Sequence, residues 1–193
     1  VVSSRFGPTD RADQPPLCNA PLAAGPPARL RLRLTGTVAR RPIGFPKISD
    51  FHLVYSPMPT PGAGEVLVRS VYLSLDPYMR SRMNEAAAFA EPVALGKVMV
   101  GGAVAFVLAS QDPNFHAGDS VEGMLGWQEY AVAPGTSLRK LDPSLGEIST
   151  ALGVLGVPGL TAYFGLLDVG RPQPGETVGV SGAVGGVGMI AGQ

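Results

Sequence analysis

Glu176-Thr-Val-Gly-Val-Ser181-Gly182-Ala-Val-Gly185-Gly186-Val-Gly188-Met-Ile-Ala191 is the stretch that decides how this chain is read. Alternating β-branched residues at Thr177–Ser181 predict a strand, and the glycines that follow it open into a helix-like sequence at Met189-Ile-Ala. A strand, a glycine-rich turn and a helix in that order form a phosphate-binding element. Glycine permits the tight turn at positive φ and lets backbone approach a pyrophosphate, while the helix start offers N–H groups without internal partners. Spacing alone leaves a flexible turn as the alternative.

Upstream of that element the pattern changes twice. Apolar positions through Ala151–Leu167 predict a helix, and the turn Arg171-Pro-Gln-Pro-Gly175 separates it from the strand. Before Asp142-Pro143 the signal is short strands: Leu30, Leu32 and Leu34 alternate with Arg31 and Arg33, and Glu65–Ser74 is rich in β-branched residues after Pro61-Gly-Ala-Gly64. Lys97–Ser110, Ser120–Met124 and Trp127–Ala133 follow. Residues 36–142 therefore read as a compact antiparallel barrel or sandwich. Residues 1–28 hold six prolines and no periodic apolar pattern, the composition of a disordered extension, which we carry to residue 35. The expected division is an Arg/Pro-rich extension over 1–35, a β domain over 36–150, and the beginning of a nucleotide-binding domain over 151–193.

Composition narrows the function classes. The 193 residues are 45% hydrophobic and 16% charged, enough to build a core, and 15 basic side chains balance 15 acidic ones. No basic surface is expected, which argues against a nucleic-acid partner. Residues 1–41 nonetheless carry seven arginines against Asp10 and Asp13. The prolines and aspartates there, and the missing apolar segment, make targeting readings weak. The single cysteine, Cys18, excludes an intrachain disulfide framework and a zinc site built from cysteine pairs. His52, in an expected strand, and His116, in the polar turn Phe115–Asp119, are the only histidines, so no metal ligand set is expected. No serine sits in a Gly-x-Ser-x-Gly elbow. The longest apolar run, Ala151–Val169, is interrupted by Pro158 and several glycines, so no membrane span is expected.

Four segments carry a family resemblance: Val71-Tyr-Leu-Ser-Leu-Asp76-Pro77-Tyr78-Met79-Arg80; Gly126-Trp127-Gln128-Glu129-Tyr130-Ala131-Val132; Leu152-Gly-Val-Leu-Gly-Val157-Pro158-Gly159-Leu160-Thr161-Ala162-Tyr163-Phe164-Gly165; and the glycine-rich turn. In this order they resemble the zinc-independent medium-chain dehydrogenase/reductase family, in its prostaglandin reductase, alkenal double-bond reductase and curcumin reductase branch. The resemblance covers roughly residues 38–193. It implies a mixed β and α/β fold: a GroES-like, partly open β-barrel followed by the start of a Rossmann domain. It also implies NADPH-dependent reduction of the C=C bond of an α,β-unsaturated ketone or aldehyde, a small-molecule enone or enal, in a cytoplasmic enzyme that is a homodimer in its full-length form.

The same resemblance assigns roles. Tyr78 matches a substrate-side tyrosine, a hydrogen-bond donor to the carbonyl oxygen where negative charge grows as hydride is delivered. The competing reading has Tyr78 or Arg80 merely anchoring the loop after the strand. Pro158, Gly159 and Thr161 match the helix start that borders the nicotinamide, and Gly182, Gly185, Gly186 and Gly188 match the phosphate-binding turn. Val157 departs from the methionine of many relatives. Tyr72, Trp127 and Tyr130 are expected in the core or an interface. Because the sequence given stops a few residues into the helix after the turn, a noncatalytic fragment that binds a partner through its apolar C-terminal segment is the alternative. The 193 residues alone are expected to show little turnover.

Overall fold

The computed structural model describes residues 2–3, 32–86 and 90–193. The larger sheet is built on β4 (Glu65–Leu73), which pairs antiparallel with β5 (Ala103–Ser110) along one edge. Its other edge is shared between β7 (Tyr130–Pro134) at one end and β1 (Val2–Ser3) at the other. β6 (Ser120–Gly123) extends the sheet from β5, and β8 (Arg139–Lys140) completes it. A second sheet pairs β2 (Leu32–Val38) with β3 (Phe51–Pro57) and is tied to the body by bridges from Thr35 to Gln128 and from Thr37 to Val98. Register shifts between Leu67 and Val68 and between Ser70 and Tyr72 mark irregularities in β4, the kind of feature that adds local twist and lets a sheet curl. The expected barrel is present in this partly open form.

Valines in alternation explain the packing: Val66 and Val68 of β4 meet Ala103, Ala105 and Val107 of β5 and Val121 of β6 in one fully enclosed cluster. A second cluster joins Val38, Val93 and Met99 to Met79 and Met83 of a short helix, α1 (Tyr78–Arg82), and the flanking turn. Trp127 packs against it and stacks on Phe51 with ring centroids 5.0 Å apart. A third forms where Val104 receives Ala151 and Leu152, with Tyr72 against it. Tyr72 and Trp127 therefore act as packing residues, and Tyr130 is buried with the Arg69 guanidinium over its ring at 5.9 Å.

Several expectations need correction. β2 starts at Leu32, so Leu32–Thr35 belong to a sheet and not to the extension; each of its rungs has a partner on β3, from Leu32–Pro57 to Val38–Phe51. Residues 4–31 of that extension, Cys18 among them, lie outside the described residues. The helix expected over Ala151–Leu167 is broken. A 3₁₀ turn covers Ile148–Leu152, Gly153–Gly156 forms a tight loop, α2 spans Val157–Tyr163, and a π-helical stretch continues over Phe164–Gly170. Pro158 explains the start of α2, because a proline that lacks an N–H is best placed in the first helical turn. The segment expected as a strand at Thr177–Ser181 has no ladder partner among the described residues. A strand is defined by its neighbour, and no second parallel strand is available to it here.

Candidate functional site

Two clusters hold the candidate residues. The first is built on α1. Ser74 at the end of β4 donates its hydroxyl to Asp76 Oδ1 at 2.9 Å, and its N–H bonds the Gly102 carbonyl at 2.9 Å, which fixes the exit of the strand. Pro77 then starts the helix, and Met79 and Met83, four positions apart, turn inward together. That rotation leaves Tyr78 outside, 37% exposed, with its hydroxyl 4.0 Å from the Met124 sulfur. Burial raises the Tyr78 pKa above its usual value, the nearby Asp76 charge adds to this, and the Gly102 N–H and Arg82 draw it part of the way back. The phenol therefore stays protonated at neutral pH and is a donor.

Arg80 anchors a loop between β2 and β3, away from the one that follows β4. Its guanidinium donates to the Gly44 carbonyl at 2.9 and 3.1 Å and to the Pro42 carbonyl at 3.3 Å. Two further ties hold the same loop. Arg41 donates to the Val93 carbonyl at 2.7 Å, and Asp50 accepts from Arg40 Nε at 2.8 Å and from the Lys47 N–H at 2.7 Å. The loop so fixed displays Ile43 and Phe45, 95% and 93% exposed.

The second cluster is glycine-built. Gly182 has φ of +63°, in the left-handed region that glycine adopts at no steric cost, and its carbonyl accepts the Gly185 N–H at 2.8 Å to close the turn. A Cβ on Gly188 would collide with that carbonyl and with the backbone of Ala183. α3 (Gly186–Ala191) starts there, and the N–H groups of its first turn have no carbonyl of their own helix to meet. A Cβ on Gly186 would lie 3.8 Å from the Pro158 ring, and α2 packs against α3, so Pro158 and the turn form one unit. Gly159 sits where a side chain would strike the Val154 backbone. The Thr161 hydroxyl donates back to the Val157 carbonyl at 2.7 Å, and Val157 itself is exposed. Of these glycines, Gly159 and Gly188 leave no room for a side chain, and Gly182 is set by its positive φ.

Among the described residues no three His, Cys, Asp or Glu side chains group at metal-binding geometry. His52 lies exposed on β3, and the His116 N–H donates to Asp119 within its turn at 2.8 Å. No helix of the described residues is long and apolar enough to cross a membrane. The sequence reading missed Met124. Nothing local marks it, because its partner Tyr78 is 46 positions away.

Residues 35–141, more than half of the chain, match the family described as the N-terminal domain of oxidoreductase. The chain belongs to the medium-chain dehydrogenase/reductase family. Within that family it is 49% identical over 156 residues to the NADPH-dependent curcumin reductase of Escherichia coli (strain K12), covering 81% of this chain and 45% of that one. It is 44% identical over 155 residues to the NADP(+)-dependent 2-alkenal reductase of Nicotiana tabacum, covering 78% and 45%. In structure it is similar to CurA from Vibrio vulnificus in complex with NADPH, with a TM-score of 0.77, 48% identity, and coverage of 83% of this chain and 47% of that one. The chain thus spans about half the length of the family members it matches, and the likeness agrees with a GroES-like barrel followed by the start of a Rossmann domain.

Proposed function

We propose that this chain supplies the substrate-binding half, and the first phosphate-binding turn, of an NADPH-dependent reductase. In this reading it acts on the C=C bond of α,β-unsaturated ketones or aldehydes. A substrate domain that begins with β2 at Leu32 and runs to residue 150, followed by the start of the cofactor domain over 151–193, belongs to the same proposal, as do a cytoplasmic setting and a homodimer. Tyr78 carries the reading: a protonated phenol on a short helix, whose acceptor among the described residues is a thioether sulfur. Its hydroxyl donates to the substrate carbonyl oxygen, and this contact strengthens as that oxygen gains negative charge on the way to the enolate. Pro158, Gly159, Thr161 and the glycines at 182, 185, 186 and 188 hold the cofactor. When bound, NADPH supplies the hydride that adds to the β carbon. A proton from solvent then reaches the α carbon, and the double bond is saturated.

The test assays the complete gene product with an enone, an enal and NADPH, identifying products by mass and with a chelator in parallel. The expected product is the saturated carbonyl, at a rate the chelator leaves unchanged. An allylic alcohol would move the reaction to the carbonyl group, and activity lost to the chelator and restored by zinc would overturn the metal-free route.

A further inference from the structure

We infer that Met124 is the specificity-determining residue of this site: its thioether covers the Tyr78 hydroxyl, and the substituent a substrate places there must be apolar and able to share the space with that side chain. The inference rests on the proposed role of Tyr78. The backbone around Met124 is held tightly. Gly123 ends β6, the Leu125 N–H bonds the Gly123 carbonyl at 2.9 Å, the Gly126 N–H bonds the Gly101 carbonyl at 2.9 Å, and the Leu125 side chain is buried. Between these fixed points the Met124 side chain projects outward, 65% exposed. Packing does not require it there.

The sulfur lies 4.0 Å from the Tyr78 hydroxyl and 4.0 Å from where a Cβ of Gly102 would stand, a position that Leu152 also borders at 3.7 Å. A phenol bonds a thioether weakly, so a carbonyl oxygen, the stronger acceptor, takes the hydroxyl at small cost and the methionine swings aside. The displaced side chain then lies against whatever carbon group the substrate brings. Methionine is unbranched and polarisable, so it adapts to several apolar shapes. The Asp76 carboxylate near Tyr78 disfavours an anionic substituent at the same place.

The experiment compares kcat/KM of the complete gene product for a β-aryl enone and for a small unbranched enone, in the unaltered protein and in Met124→Ala, Met124→Leu and Tyr78→Phe. Met124→Ala should raise the ratio of aryl to small substrate by about tenfold or more, the scale of a change of a few apolar atoms in a pocket. Met124→Leu, of similar volume, should keep the ratio close to the original, and the KM for NADPH should not change in either. Tyr78→Phe should slow both substrates alike. A ratio that stays or falls in Met124→Ala while Tyr78→Phe remains slow overturns the role of Met124 alone. Unchanged rates in Tyr78→Phe overturn the reading of Tyr78 and this inference with it.

Discussion

Tyr78 and Arg80 stand two positions apart on one short helix, yet they do opposite things. Arg80 donates to the carbonyls of Pro42 and Gly44 and to the Asn84 side chain, while the Tyr78 hydroxyl, which the Gly102 N–H also reaches, lies beside the Met124 sulfur. Substitution should separate them. Tyr78→Phe is expected to lower turnover of the complete gene product by about one to three orders of magnitude, the range seen when one oxyanion donor is removed, with the melting temperature unchanged. Arg80→Ala should show the reverse balance. Losing charge-assisted hydrogen bonds to backbone at a partly exposed position costs about 1 kcal/mol of stability and frees the loop that carries Ile43 and Phe45. Steady-state rates and thermal melts of the two variants side by side decide the matter. The tyrosine was legible in the sequence as a candidate, because Asp76-Pro77 announces a turn and the motif resembles a family. Its freedom was not, since that depends on Met79 and Met83 claiming the inward face and on Arg80 reaching a loop 36 residues earlier.

At the scale of elements, the glycine-rich turn behaves as its composition demands. Gly188 leaves no space for a Cβ beside the Gly182 carbonyl, whereas a Cβ on Gly179 would have nothing within 4 Å. Gly188→Ala should therefore open the turn and weaken NADPH binding by about 10- to 100-fold, taking a steric penalty of roughly 1–3 kcal/mol at tenfold per 1.4 kcal/mol. Gly179→Ala should bind as before. Titration of NADPH fluorescence with the complete gene product reads both. The strands of the β domain were visible as alternating valines, and the observed β4, β5, β6 and β7 fall inside or within a residue of the expected runs. The helix α1 was not visible, because five residues give too little period to detect. The interval 151–167 misled for a different reason. Its apolar content suits a helix, but the tight loop at Gly153–Gly156 and the proline at 158 set where the helix starts.

Across the whole molecule, two acidic anchors, one closing the loop before β3 and one joining β8 to the turn before β6, make stability depend on pH. The Lys47 backbone N–H and then the Arg40 guanidinium hold the Asp50 carboxyl below the usual carboxylate range. Lys140, at 2.7 Å, and the His116 N–H do the same for Asp119, linking β8 to the turn before β6. The unfolded chain therefore takes up protons at these groups before the folded one does. Their stabilisation is fully present above the ordinary aspartate value of about 4 and is lost as pH falls through the lower folded values. Urea midpoints should drop between pH 6 and pH 3, and Asp50→Asn should flatten that fall; a midpoint independent of pH in this interval would remove the two carboxylates from the account. The sequence by itself determined the kind of protein this is: alternating apolar residues build a β domain, and glycines after a β-branched run build a tight turn into a helix, because both signals are local and repeat within a few residues. Only the tertiary structure decided which side chains are free to act. Met124 reaches Tyr78, Arg80 reaches Gly44 and Pro158 reaches Gly186 across long stretches of chain, and pairings of that kind depend on how elements pack, which no local period records.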